Sequence, residues 1–292
     1  MKLTLDRATF LRICAAGALF FGLAVGGAHA SDEQWTRTYA VTGHPQVNVN
    51  TNDGAVRIIT GDTKQVVFRV YFSGYTLDKD LTIESQQNGN TLEITAKIRN
   101  GFHWGWGGIS RNLRIEVYMP KDADLQVDTG DGSVETQYLA GNLGVHTGDG
   151  HIRVDGAKGS IQLRTGDGSI EAQGLDGRVE ASSGDGHVSL TGRFDSLDVK
   201  TGDGSVNVRA TSGSQMVSGW NIRTGDGSVD VSLPGDLKAT IDASTHDGHI
   251  SLGIPVTVEG TFSTSQIHGK MNGGGQALTI QTGDGSIRLN PA

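Results

Sequence analysis

Thr165-Gly166-Asp167-Gly168-Ser169-Ile170-Glu171-Ala172 contains a quartet that returns along most of the chain. Copies begin at Thr129, Thr147, Thr165, Ser183 and Thr201, each 18 residues after the last. The spacing then becomes 23 to Thr224, 21 to Thr245 and 37, about two periods, to Thr282. Thr264 opens a degenerate copy in which Ser265-Gln266-Ile267 replaces Gly-Asp-Gly, and Thr51-Asn52-Asp53-Gly54 is an isolated early copy. A fixed period of this kind marks a repeat architecture, in which each unit is stable only against its neighbours.

Around each quartet apolar and polar residues alternate, as at Ile152/Val154 with Ile161/Leu163, Val188/Leu190 with Leu197/Val199, and Val229/Val231. Period two means half-buried strands. Each repeat therefore reads as two strands of about five residues, joined by corners where glycine takes positive φ without steric cost. Two architectures fit. In an antiparallel meander each Asp-Gly is a hairpin turn; in a parallel β-solenoid each coil stacks on the next, about 4.8 Å away. Near-identity at one position in repeat after repeat favours the solenoid, because such a position stacks on its own copies. The extra residues around Trp220 then bulge from one corner. Parity turns Thr147 and its equivalents inward, their hydroxyls bonding neighbouring backbone and their methyls packing against adjacent coils.

The chain divides into three parts. Residues 1–30 read as a cleavable export leader: Lys2, Arg7 and Arg12 precede an apolar run from Ile13 to Val25, and Ala28-His29-Ala30 supplies the cleavage site after Ala30. The run is shorter than the roughly 20 residues a membrane span needs, so no transmembrane segment is expected in the mature chain. Residues 31–120 carry alternating strands without the repeat beat, at Val47-Asn48-Val49, Val66 to Tyr71, Leu81-Thr82-Ile83, Leu92-Glu93-Ile94 and Leu113 to Tyr118. They read as a separate β-rich region or as irregular first coils, with Pro120-Lys121-Asp122 as the junction. Residues 121–292 are the repeat region. The expected fold is all-β: a parallel β-solenoid of 18-residue coils behind an irregular β-rich N-terminal region.

Composition narrows the function. Glycine supplies 44 of 292 residues, which argues against helical bundles, since an interior helical glycine costs about 1 kcal/mol. The single cysteine, Cys14, lies in the leader, so the mature chain has no thiol chemistry. Loss of the leader leaves 21 basic and 31 acidic residues, a net charge of about −10, with no Lys/Arg cluster along the sequence. Nucleic acid is excluded as an expected partner and anionic lipid is disfavoured.

Val117-Tyr118-Met119-Pro120-Lys121 before the Leu125 strand, followed by recurring Thr-Gly-Asp-Gly-Ser-Val behind an export leader, resembles the bacterial "putative adhesin" family of envelope proteins. The resemblance covers essentially the mature chain. It implies an exported, β-helix-like protein with no assigned function, some of whose relatives are associated with envelope stress.

The eight aspartates Asp131, Asp149, Asp167, Asp185, Asp203, Asp226, Asp247 and Asp284 invite comparison with calcium-collecting repeats. There the aspartate immediately precedes the apolar strand residue, whereas here two residues intervene. The reading adopted is structural, each Asp favouring its turn, with weak calcium binding not favoured and no other cofactor expected. His151, His187 and His249 replace the usual serine; His151 and His187 are about 10 Å apart in a solenoid, too far to share a metal. No catalytic constellation or metal motif stands out, and the enzyme alternative is a glycan-cleaving β-helix, which needs a paired carboxylate groove. Gly101-Phe102-His103-Trp104-Gly105-Trp106-Gly107-Gly108 is the irregular feature, with Phe102, Trp104 and Trp106 as a candidate partner-binding loop; its alternative role is to plug an open sheet end. The sequence thus points to a non-enzymatic envelope protein, periplasmic or at the cell surface or extracellular. It would act as an adhesin-like or scaffold module for a glycan or protein, in envelope maintenance.

Overall fold

The computed structural model describes residues 33–99, 111–258 and 263–292, so the leader read at 1–30 lies outside the described residues. Among them every regular element is a strand. The first seven are β1 (Glu33–Ala40), β2 (Gln46–Thr51), β3 (Ala55–Gly61), β4 (Gln65–Ser73), β5 (Leu81–Asn88), β6 (Thr91–Ile98) and β7 (Asn112–Pro120). Next come β8 (Asp124–Thr129), β9 (Val134–Thr136), β10 (Leu139–Ala140), β11 (Leu143–Thr147), β12 (Ile152–Thr165), β13 (Ile170–Ser182), β14 (Val188–Lys200), β15 (Val206–Ala210), β16 (Trp220–Arg223) and β17 (Val229–Leu233). The last are β18 (Ala239–Thr245), β19 (Ile250–Leu252), β20 (Thr257–Val258), β21 (Gln266–Met271), β22 (Gln276–Thr282) and β23 (Ile287–Pro291).

The fold is all-β, with many short strands in mixed pairing. Strands entering the quartets form one ladder and strands leaving them a second. Through the middle coils both ladders are parallel and offset by one period: Val145 pairs with Leu163, Leu163 with Ala181, Ala181 with Val199 and Val199 with Ile222. Pairing between adjacent repeats rules out the meander there. Every second side chain is buried, and each coil adds only a few apolar residues, so the core exists only as a stack. The early strands join the same ladders, β2 pairing with β8 and β3 with β9 in register from Thr51/Thr129 to Val56/Val134.

Both ends depart from a regular parallel stack. At the N-terminal end β6 and β7 lie outside β2 and β3, and the antiparallel strands β5, β4 and β1 lie beyond them. At the C-terminal end spatial order differs from chain order. β22 pairs with β16 on one side and β18 on the other, and β23 likewise separates β17 from β19. The last coil of the chain is therefore interior, and the Thr245 coil is the outer one. The segment opened by Thr264 is not a further coil: β21 runs antiparallel to β18 and caps it.

The glycine-corner expectation also needs correction. Positive φ occurs at the corner far from the quartet, at Gly156 (+91°), Gly159 (+130°), Gly174 (+64°) and Gly177 (+134°), where β12 and β13 stay paired around the bend. Within the quartets only Gly54 adopts it. Elsewhere in the quartet glycine is required by close stacking: a Cβ on Gly148 would lie 2.7 Å from Gly130 O, and one on Gly150 would overlap Gly132 O.

Candidate functional site

The quartet begins with a buried hydroxyl. Thr147 ends β11 pointing inward, as parity dictates. Its Oγ1 accepts a bond from Gly150 N (3.2 Å), and its hydroxyl donates between Gly132 O (3.0 Å) and Gly130 O (3.1 Å) of the preceding coil. Thr165 repeats this arrangement with Gly168 N, Gly150 O and Gly148 O, and Thr245 repeats it with Gly248 N, Gly285 O and Gly283 O of the coil inserted beside it. The first glycine N–H of each middle quartet bonds to the same glycine's carbonyl one coil away, Gly166 to Gly148 and Gly184 to Gly166. A turn that would otherwise expose unpaired backbone is thus satisfied on both sides.

All eight repeat aspartates, from Asp131 to Asp284, are exposed. Each middle carboxylate overhangs the next coil's first glycine; Asp131 Oδ1 lies 3.2 Å from where a Gly148 Cβ would be. The histidines are exposed too: His151 Nδ1 accepts from Ser169 N (3.1 Å), while His187 and His249 meet Ser205 Oγ (2.8 Å) and Ser286 Oγ (3.0 Å) of adjacent coils. Among the described residues no group of three His, Cys, Asp or Glu is placed to hold a metal.

On the outer face of the second ladder the fold builds a row invisible in the sequence. Arg69 pairs across to Glu116, Glu116 to Arg57, Arg57 to Glu135, Glu135 to Arg153 and Arg153 to Glu171. Charge alternates over six strands, with Arg153 Nη2–Glu171 Oε2 at 2.6 Å and Arg57 Nε–Glu135 Oε2 at 3.8 Å. At its N-terminal end Arg114 stacks over Tyr71 (4.9 Å) and Arg69 over Tyr118 (4.6 Å). At a corner, Arg193 forks onto Asp195 (2.5 and 3.1 Å) and also bonds Asp176 of the preceding coil. The Arg193 guanidinium holds the Asp195 carboxyl below the usual carboxylate range against the opposing effect of burial.

Phe102, Trp104 and Trp106 lie outside the described residues. Their flanks are defined: β6 stacks on β2 up to Thr51/Ala96, and β7 on β3 from Ala55/Arg114. The described flanks, Lys97–Arg99 and Arg111–Leu113, therefore adjoin the strand pairs that enclose Asn52-Asp53-Gly54 in the neighbouring coil. Asn52 marks that boundary, its amide donating to Ile98 O (2.8 Å) and accepting from Ile98 N (2.9 Å). Trp220, beside the inserted corner, is buried and packs edge-on against Phe194 at 5.9 Å. A cleft of about 640 Å³ lies beside the inserted corner, between Gln215, Met216, Lys238 and Gln276.

These features define a stacked-coil, all-β repeat protein with repeated polar turns. Residues 44–290 match the Toastrack DUF4097 family model, and the chain belongs to that family. A solved structure of a "putative lipid binding protein" from Parabacteroides distasonis is 16% identical, with 88% of this chain and 96% of that chain covered and a TM-score of 0.51. A "putative adhesin" from Bacteroides fragilis is 14% identical, with 90% and 100% covered and a TM-score of 0.42. No curated protein matches the chain.

Proposed function

We propose that this protein is a non-enzymatic, exported envelope module, in which a β-solenoid scaffold carries an adhesin-like recognition surface for an envelope glycan or protein. Residues 1–30 would direct export and be removed after Ala30, leaving the mature chain in the periplasm or at the cell surface. Within it, 31–120 would supply the recognition end and 121–292 the scaffold. The reading is supported by one observation: β6 and β7, the strands on either side of residues 100–110, pair in register with β2 and β3 of the Thr51 coil, so the segment that carries the glycine-flanked aromatics begins and ends on ordered strands. Phe102, Trp104 and Trp106 are the assigned contact residues, offering flat apolar faces of the kind that recognition sites use. The eight repeat aspartates are assigned a role in the turns. The known structural relatives carry adhesin and lipid-binding labels, which is compatible with a binding role.

The test is binding of the leader-free protein to a panel of envelope glycans, peptidoglycan and lipids, with glycan cleavage assayed in parallel. Selective binding that disappears in Trp104→Ala/Trp106→Ala, with the fold retained and no cleavage, is the expected result. Cleavage would overturn the non-enzymatic reading. Binding unaffected by the double substitution would overturn the site.

A further inference from the structure

The two ends of the ladders are closed unequally. At the C-terminal end the outermost strand of one ladder, β19, has only 3 residues, and Ile250 N within it bonds Thr264 O (2.8 Å). At the N-terminal end β1 and β5 each run for 8 residues. Among the described strands β1 pairs only with β4, and β5 only with β6 apart from a bridge between Leu81 and Leu77. Each therefore presents a long row of backbone donors and acceptors to its outer side, the feature that makes a sheet edge a template for another strand. Neither carries a proline, and β1 has only two charges.

The side chains beneath those edges point the same way. Tyr39 Oη and Ser85 Oγ meet at 2.6 Å, and Gln87 Nε2 donates to Ala40 O (2.9 Å), drawing β1 and β5 together across the end of the core. Trp35, Tyr39, Tyr75, Ile83 and Ile98 pack against that core only in part, whereas the opposite end has Leu252 and Val256 in this position. Among the described residues, partly exposed apolar side chains and strand edges without a strand partner coincide at one end of the ladders.

From this we infer that the N-terminal end is an interface for a second copy of this chain, formed by antiparallel pairing of β1 with its own copy. The charges favour self-pairing over an unrelated strand. Glu33, Trp35, Arg37 and Tyr39 lie on one side of β1, opposite Phe72, Val70, Phe68 and Val66 of β4, and Arg37 lies over the Trp35 ring at 5.9 Å. Antiparallel pairing centred on Trp35 places Glu33 of each copy opposite Arg37 of the other and sets the two indoles face to face across the two-fold axis. An axis normal to the ladders also brings β5 against its own copy, so both sheets continue through the dimer. Opposite charges across strands stabilise such a pair and like charges oppose it.

The test is sedimentation velocity of the leader-free full chain over a wide concentration range. The expected result is a reversible dimer. Arg37→Glu, at an exposed position, should weaken it about tenfold or more by setting like charges opposite each other. The double variant Glu33→Arg/Arg37→Glu restores opposite charges and should restore the dimer. Circular dichroism and thermal melting of each variant separate a lost interface from a lost fold. A chain that stays monomeric throughout, a dimer indifferent to Arg37→Glu, or a loss that the double variant does not repair would each overturn the inference. So would a monomer that binds a foreign extended peptide along β1.

Discussion

The middle coils and the end coils place the same quartet against different neighbours. From Thr147 to Gly204 each quartet lies between two copies of itself, and its glycines stack on glycine carbonyls. At the N-terminal end the quartet of the Thr51 coil adjoins Ile98 and has Asn52 where the middle quartets have glycine; its side-chain amide makes both bonds to the Ile98 backbone. In the outermost C-terminal quartet His246 occupies the same position, and His246 N and Asp247 N both approach Gly283 O, at 2.8 and 3.1 Å. The repeat is strict where like meets like and relaxes where it does not. Glycine in the quartet is thus a stacking requirement before it is a turn preference.

Substituting alanine into the stack should break this contrast most severely. A Cβ on Gly168 overlaps Gly150 O, and the next nearest atoms, Gly150 C and the hydrogen-bonded Thr165 Oγ1, offer no flexible side-chain end to yield. Gly168→Ala should cost about 3 kcal/mol or more in denaturant unfolding, at the upper end of overpacking effects. Gly61→Ala, where nothing lies within 4 Å of the added atom, should stay within about 0.5 kcal/mol. Similar costs at the two positions would show that stacking is not what selects glycine.

A smaller effect isolates the hydroxyl. Thr165→Val keeps the shape but leaves Gly168 N without its acceptor and Gly148 O and Gly150 O without their shared donor. The loss should be about 1–3 kcal/mol, the usual cost of unsatisfied buried polar groups. A neutral Thr165→Val would mean that methyl packing alone keeps threonine in the motif. Smaller again, Asn52→Gly should lower stability by about 1 kcal/mol, because its two bonds to Ile98 are exposed and water can replace them. Stabilisation by Asn52→Gly would erase the distinction between the Thr51 coil and the middle.

How much of this was legible in the sequence differs along the same line. Period and parity sufficed for the strands, the inward threonines and the pairing of neighbouring repeats in the middle, because those follow from local alternation and from repeated neighbours. Coil order at the C-terminal end was not legible: the 21-residue step from Thr224 to Thr245 looks like ordinary succession, and nothing nearby announces that residues 276–291 will slide between the two coils. The alternating row from Arg69 to Glu171 was equally hidden, since its members come from strands distant in sequence and meet only through register. The burial of Trp220 was hidden as well: it follows an inserted corner, and strand pairing with Leu197 and Leu278 directs it into the core. The aromatic sequence at 102–106 stood out because it breaks the beat, but a broken beat carries no geometry.

The corner salt bridge is the mildest test, and its sign can be worked out. The Arg193 guanidinium holds Asp195 below the usual carboxylate range, so the folded chain keeps this carboxylate charged to lower pH than the unfolded chain does. Its contribution is present above the unfolded carboxylate pKa of about 3.9 and fades as pH falls through the lower folded value. Asp195 is 36% exposed, so solvent screens the pair and its worth near neutral pH should stay below about 1 kcal/mol. Asp195→Asn should therefore be slightly less stable than the parent near neutral pH, and the two stability curves should converge as pH falls from the unfolded carboxylate value through the lower folded one. Arg193 would still reach Asp176 across the coils, which limits the loss. A gap that widened toward acid would mean that removing the Asp195 charge relieves the folded state, and that the corner is held by Arg193 and Asp176 alone.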